Sequence, residues 1–208
     1  MACMSLEQGT LYYERFGSGM PVVILHDGLL DSSVWIPLAE RLTEHNEVVL
    51  YDRRGFGHSD TPVAPYSNVD DLVCLFDALD LAPAVLIGCS MGGGLGIDFT
   101  LRHPEKVRGL FLIGAVMSRY PGFDHFLGRN YRNYLPLIER GDVPECIRVP
   151  VHILVGEDDI PDVHAQSGIL HDRIPDSIRT VVPGCGHLVY LEDSDSVFAI
   201  QEQFLSIC

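Results

Sequence analysis

Short apolar runs alternate along the chain with longer stretches whose apolar residues recur at helical spacing. Thr10 to Phe16 alternates in character as an early strand. Val22-Val23-Ile24-Leu25, Glu47 to Tyr51, Ala84 to Ile87, Val107 to Ile113, Val151 to Val155 and Thr180 to Val182 form the next strand candidates. Several are unbroken apolar runs, as expected of strands covered on both faces. Between them lie the helix candidates. Val34, Trp35, Leu38 and Leu42 follow Ser33, which can cap a helix, and Leu72, Leu75, Phe76 and Leu79 share the face of a helix opened by Asp70 or Asp71. Met91 to His103 can be helical until Pro104 stops it, Asp162 to Ile174 is helical, and Ser194 to Ile207 closes the chain as a helix. The alternation predicts an α/β domain around a mainly parallel, doubly wound sheet.

One stretch breaks the pattern. Met117 to about Arg148 carries Tyr120, Phe123, Phe126, Tyr131 and Tyr134 without strand signals. It reads as a short, partly helical, cap-like excursion at about 117–148, too small to be a domain of its own. A chain of 208 residues otherwise suits one domain spanning 1–208, able to bury about 70% of its unfolded surface.

Composition narrows the setting. With 47% hydrophobic and 21% charged residues the chain suits a soluble globular protein. A net charge of −15 argues against nucleic acid or an anionic membrane as partner. Met1 to Glu7 lacks the basic start and apolar run of a secretion leader, and no apolar stretch is long enough to span a bilayer. The six cysteines show no CxxC spacing and read as free thiols in a cytoplasmic protein. Neither a metal site nor an organic cofactor is expected.

The chemistry centres on Gly88-Cys89-Ser90-Met91-Gly92, a Gly-x-Ser-x-Gly set between a buried strand and a helix. A strand that turns into a helix within one or two residues must bend sharply, and glycines on either side permit the close approach. The turn lifts Ser90 off the sheet and leaves the Met91 N–H at the helix N-terminus, available to a developing oxyanion. Serine needs a base, and the base an orienting acid. Both lie on later strand-end loops, in the order serine, acid, histidine. His187 follows Gly184-Cys185-Gly186 after the Thr180–Val182 strand, and Gly156-Glu157-Asp158-Asp159 follows Val151–Val155. The acid is Asp158 or Asp159; Asp159 is favoured because the loop needs residues to clear the strand end. His103, His152, His164 and His171 are better explained as surface or packing residues. A second oxyanion donor is expected from His26-Asp27-Gly28, with Gly28 ahead of Leu29.

These residues resemble the alpha/beta-hydrolase family, in particular its carboxylesterase, enol-lactonase and cofactor-free haloperoxidase-like branch. Leu25-His26-Asp27-Gly28 with Trp35, Tyr51 through Ser59, the elbow, His103-Pro104-Glu105, Gly156 through Asp159 and Gly186-His187-Leu188 carry the likeness, which covers nearly the whole chain. It implies an alpha/beta-hydrolase fold with a much reduced cap, and a serine hydrolase acting on small carboxylic esters or lactones through an acyl-enzyme. It also implies Ser90, Asp159 and His187 as the triad and places the second oxyanion donor after the His-Gly pair, hence at Gly28. A peracid-forming or acyl-transfer enzyme would keep the same triad, and a ligand-binding protein could keep the fold alone. Two departures stand out. Cys89 occupies a position often held by histidine in relatives; it is expected to pack beneath the elbow. Asp27 replaces the usual glycine; its carboxylate is expected to face away from the oxyanion, so that Asp27→Gly or Asp27→Asn changes kcat less than about tenfold.

The shortness of 117–148 predicts an open acyl site. Profiling acetyl to dodecanoyl esters should show a preference for short chains, with each methylene worth at most about 1 kcal/mol. A steep optimum at long chains would refute it.

Overall fold

The computed structural model describes residues 2–117 and 144–208. Eight strands form one sheet: β1 (Ala2–Ser5), β2 (Thr10–Gly17), β3 (Met20–Leu25), β4 (Asn46–Tyr51), β5 (Ala84–Cys89), β6 (Val107–Ile113), β7 (Val151–Gly156) and β8 (Ile178–Val182). Their order is β1-β2-β4-β3-β5-β6-β7-β8. β1 and β2 pair antiparallel, as do β2 and β4; every other pairing is parallel. The helices are α1 (Ile36–Leu42), α2 (Asn68–Ala78), α3 (Met91–Arg102), α4 (Pro161–Arg173), α5 (Val189–Glu192) and α6 (Ser194–Leu205). None among the described residues is long and apolar enough to cross a membrane.

Because successive strand residues point to opposite faces, each apolar strand feeds two cores. Val23 and Leu25 of β3 pack with Leu72 and Phe76 of α2, Phe99 of α3 and Leu170 of α4. Val22 and Ile24 turn the other way, toward Leu38 and Leu42 of α1 and Val197 and Phe204 of α6. The unbroken Val-Val-Ile-Leu run is therefore a consequence of being covered twice. From β3 the chain steps to β4 on one side, then re-enters the sheet at β5 on the other. The strand order therefore reverses between β3 and β5, and the loops at their carboxyl ends lie at this switch point, where open parallel sheets commonly hold their sites.

The differences from the sequence reading are local. β1 has no β-branched residue to announce it; backbone pairing to β2, from Ala2↔Tyr13 to Ser5↔Thr10, makes it a strand. Asp31, not Ser33, caps the first helical turn, accepting the Ser33 N–H at 3.0 Å, and Ser32–Trp35 forms a 3₁₀ turn before α1. Ser67, not Asp70 or Asp71, caps α2, through its hydroxyl and the Asp70 N–H at 3.2 Å. The two acids fall in its first turn, where they favour the helix dipole. The four-residue helix α5 is too short to leave a periodic signal. All six cysteines are free, with Cys89 and Cys185 buried. Most of the 117–148 excursion lies outside the described residues.

Two buried imidazoles tie stability to pH. His152 is buried in β7 with Nε2 against Thr180 Oγ1 at 2.9 Å, and burial lowers its pKa. His26 is fully buried, and burial together with the Arg53 charge pushes its pKa well down. In the unfolded chain both titrate near about 6.5. Below that pH the unfolded state takes up protons that the native state refuses, so both groups destabilise the fold as pH falls. His187, whose pKa is raised, acts in the opposite sense. The decisive comparison is therefore between variants. His152→Gln should lose less stability than the parent between about pH 7 and pH 5, measured by urea midpoints; equal losses would remove His152 from the balance.

Candidate active site

β5 ends at Cys89 and α3 begins at Met91, so Ser90 must make the whole turn. It does so at φ 51°, ψ −114°, a left-handed conformation that costs a serine roughly 1–3 kcal/mol. Neighbouring backbone holds it there: the Ser90 N–H donates to the Ile113 carbonyl at 2.8 Å, and the Ser90 carbonyl accepts from Val116 at 3.0 Å and Gly94 at 3.2 Å. The turn is possible only because side chains are missing. A Cβ at Gly88 would lie 2.7 Å from both Gly92 O and Gly93 Cα, and one at Gly92 would lie 2.0 Å from the Leu25 carbonyl oxygen. The second contact also shows that the β3 loop lies directly against the start of α3.

Around Ser90 the structure assembles a continuous hydrogen-bonded chain. Ser90 Oγ lies 2.9 Å from His187 Nε2, and His187 Nδ1 lies 2.9 Å from Asp159 Oδ2 and 3.1 Å from Oδ1. The Asp159 side chain is wholly buried and its Oδ1 also accepts the Ile160 N–H at 2.7 Å. Asp158 instead faces solvent, its N–H donating to the Cys185 carbonyl at 2.8 Å. The hydrogen bond that His187 donates to the Asp159 carboxylate lifts the His187 pKa, against the opposing effect of burial. An imidazole so placed can take a proton from the hydroxyl at one nitrogen while a carboxylate steadies the other.

The loops that carry acid and histidine are stitched together. Glu157 N–H donates to Val182 O at 2.9 Å, and a Cβ at Gly156 would lie 2.1 Å from Gly186 O. Glu192 of α5 accepts the Gly186 N–H at 2.7 Å and the Leu188 N–H at 3.2 Å, bracketing His187. Gly114, at φ 51°, lies beneath the pair; its Cβ would approach His187 Nδ1 to 3.2 Å and Asp159 Oδ2 to 3.3 Å. The sequence reading did not single out Gly114 or Glu192. A glycine directly after an apolar strand was the available sign for Gly114; Glu192 had none, because its role depends on a loop folding back.

The remaining candidates fall as their environments dictate. His26 Nε2 accepts the Arg53 N–H at 3.0 Å, so its proton sits on Nδ1, which donates to the Asp27 carbonyl at 2.8 Å. His164 bonds the Glu157 carbonyl and His171 the Ser177 hydroxyl, while His103 packs against Phe99. Burial pushes the Cys89 thiol pKa well up and keeps it neutral. Asp27 is buried, and its carboxylate accepts from Leu29, Leu30 and Tyr190. No group of three or more metal-ligating side chains occurs among the described residues.

The chain belongs to the alpha/beta hydrolase fold family, whose model matches residues 21–126. It is 35% identical over 124 residues to 2-hydroxymuconate semialdehyde hydrolase of Pseudomonas sp. (strain CF600), covering 55% of this chain and 44% of that protein. It is 40% identical over 106 residues to pimeloyl-[acyl-carrier protein] methyl ester esterase of Shewanella woodyi, covering 51% and 40%. The matched region thus spans less than half the length of these relatives. Among solved structures, Est816, described as an N-acyl homoserine lactone degrading enzyme, superposes with a TM-score of 0.85 at 22% identity, over 98% of this chain and 100% of that one. The enol-lactonase from Burkholderia xenovorans LB400 gives 0.81 at 22% identity, over 99% and 100%. The likeness to the two solved structures establishes the fold. Membership of the family rests on the family model, which matches about half of the chain.

The steric account of the elbow can be checked with two alanines. Gly92→Ala should destabilise by about 3 kcal/mol or more, since a backbone carbonyl cannot swing away as a side chain can. Gly168→Ala, in α4 with open space at the Cβ position, should stabilise by about 0.5–1 kcal/mol. Denaturant titration of both variants reads the contrast; a neutral Gly92→Ala would contradict the close approach.

Proposed function

We propose that the protein is a serine hydrolase that cleaves carboxylic esters or lactones through an acyl-enzyme. The observation that carries this reading is the chain of contacts from Ser90 Oγ to His187 Nε2 and from His187 Nδ1 to Asp159, each at 2.9 Å. As the Ser90 hydroxyl adds to the acyl carbon, His187 Nε2 takes its proton and Asp159 stabilises the imidazolium. The developing oxyanion lies between the N–H groups of Met91 and Gly28. Met91 opens α3, where first-turn N–H groups have no intrahelical acceptor. Among the described residues Gly28 N–H has no acceptor, whereas its neighbours Leu29 and Leu30 are engaged by Asp27. His187 then returns the proton to the leaving alcohol, and water releases the acid by the same steps. A small-molecule substrate suffices as partner.

The methyl ester esterase and lactone-degrading relatives support the ester or lactone reading. A second reading, favoured by the 2-hydroxymuconate semialdehyde hydrolase relative, keeps the triad and directs it at a substrate of that class. Transfer of the acyl group to an acceptor other than water would likewise use the same three residues. Assaying short-chain esters, lactones and ring-cleavage semialdehydes in parallel, with Ser90→Ala as control, separates these readings. Fluorophosphonate should label Ser90; an unlabelled, inactive protein would remove the enzyme mechanism altogether.

Two outcomes follow from the geometry. Asp159→Asn should lower kcat by about 10⁴-fold with folding intact, because the imidazole loses its orienting carboxylate, and solvent-facing Asp158→Asn should be mild; the reverse ranking overturns the assignment. Because the base must be neutral and its pKa is raised, kcat/KM should climb with pH along a limb centred above about 6.5, the ordinary imidazole value. A limb centred below that value would exclude His187 as the base.

A further inference from the structure

Hydrogen bonds hold several polar groups of the loop after β3. The Asp27 carbonyl accepts from His26 Nδ1–H at 2.8 Å and from the Arg53 guanidinium. Asp27 Oδ1 accepts the N–H groups of Leu29 at 2.7 Å and Leu30 at 2.9 Å. Its Oδ2 accepts the Tyr190 hydroxyl at 3.0 Å. A trans peptide is planar, so its carbonyl and its N–H point in opposite directions. Holding the Asp27 carbonyl therefore aims the Gly28 N–H, and occupying Leu29 and Leu30 removes the competing donors. The negative charge that Asp27 brings to this loop is absorbed by three donors.

Tyr190 links this arrangement to the other half of the site. It sits in α5, three residues after His187, with its ring stacked on Trp35 at 3.8 Å between centroids and 8° between planes. Both rings are buried, so the phenol has little freedom to leave Asp27. Its pKa is raised, chiefly by burial, which keeps the hydroxyl protonated as the donor.

We propose that Asp27 and Tyr190 are a pair of positioning residues: the Tyr190 hydroxyl holds the Asp27 carboxylate, and that carboxylate sets the Gly28 N–H for the oxyanion and ties its loop to the segment bearing His187. This rests on the serine-hydrolase reading above. It also revises the expectation for Asp27→Gly, which now removes the clamp; Asp27→Asn keeps a side-chain oxygen for Leu29 and Leu30.

The test compares Tyr190→Phe, Asp27→Asn, Asp27→Ala and the Tyr190→Phe/Asp27→Ala double variant on a short-chain ester. Asp27→Ala should lower kcat about a hundredfold, the scale of a displaced oxyanion donor, while KM stays within about twofold. Tyr190→Phe should lower kcat about tenfold for one lost charge-assisted bond. Asp27→Asn should stay within about tenfold of the parent. The double variant should be no slower than Asp27→Ala alone, because the two side chains act through one contact. Parent-like kcat in folded Tyr190→Phe, or losses that multiply in the double variant, would overturn the pairing. If Asp27→Ala does not fold, Tyr190→Phe and the rescue by Asp27→Asn decide. Fluorophosphonate labelling of the parent keeps the two levels apart: an unlabelled parent defeats the hydrolase reading, and a labelled parent with unaffected variants defeats only the positioning pair.

Discussion

The architecture hangs on a backbone-to-backbone approach at the start of α3. β5 must end, turn through one residue and begin a helix while the carbonyl end of β3 presses on that helix from the side. Gly88 and Gly92 have no Cβ to place where Gly92 O, Gly93 Cα and the Leu25 carbonyl already lie. This contact sets the end of β3 against the start of α3, so that the Ser90 hydroxyl and the β3 loop both lie at the carboxyl end of the sheet where the strand order reverses. The strain at Ser90 and the placement of the β3 loop both follow from it.

Carboxylates are the second organising element, and Asp27, Asp52, Asp71 and Asp159 are each buried with donors around them. Asp52 takes the N–H groups of Ser32 at 2.9 Å and His58 at 2.8 Å, joining two loops that cross the carboxyl end of the sheet. Arg54 forks onto Asp71 at 2.7 and 2.9 Å and fastens the β4 loop to α2. Asp27 and Asp159 do the same for the two sides of Ser90. A chain with a net charge of −15 thus keeps several negative groups inside by spending loop N–H groups on them. Removing any one acid would leave its donors unpaired, which is why these loops hold their shape without regular secondary structure.

The family match ends at residue 126, whereas Asp159 and His187 lie beyond it. The sheet joins the two parts. β6 pairs with β7 and β7 with β8, so the acid and histidine loops emerge at the same sheet end as the elbow. Gly114, at the exit of β6, provides the floor on which the imidazole and carboxylate meet.

Much of this was legible along the chain. Runs buried on both faces announced the parallel strands, and glycines around a serine between strand and helix announced the elbow. The order of serine, acid and histidine on strand-end loops located the candidate residues. These signals are local, because periodicity and missing side chains leave their mark within a few residues. Between Asp158 and Asp159 sequence could only prefer; burial of one and exposure of the other came from how the β7 loop folds against Gly186. Gly114 had only its place directly after an apolar strand as a sign, and the roles of Glu192 and Tyr190, and the three donors gathered by Asp27, had no local mark at all. They join residues as far apart as 27 and 190, and only the packing of α5 across the sheet end brings such groups within hydrogen-bonding distance.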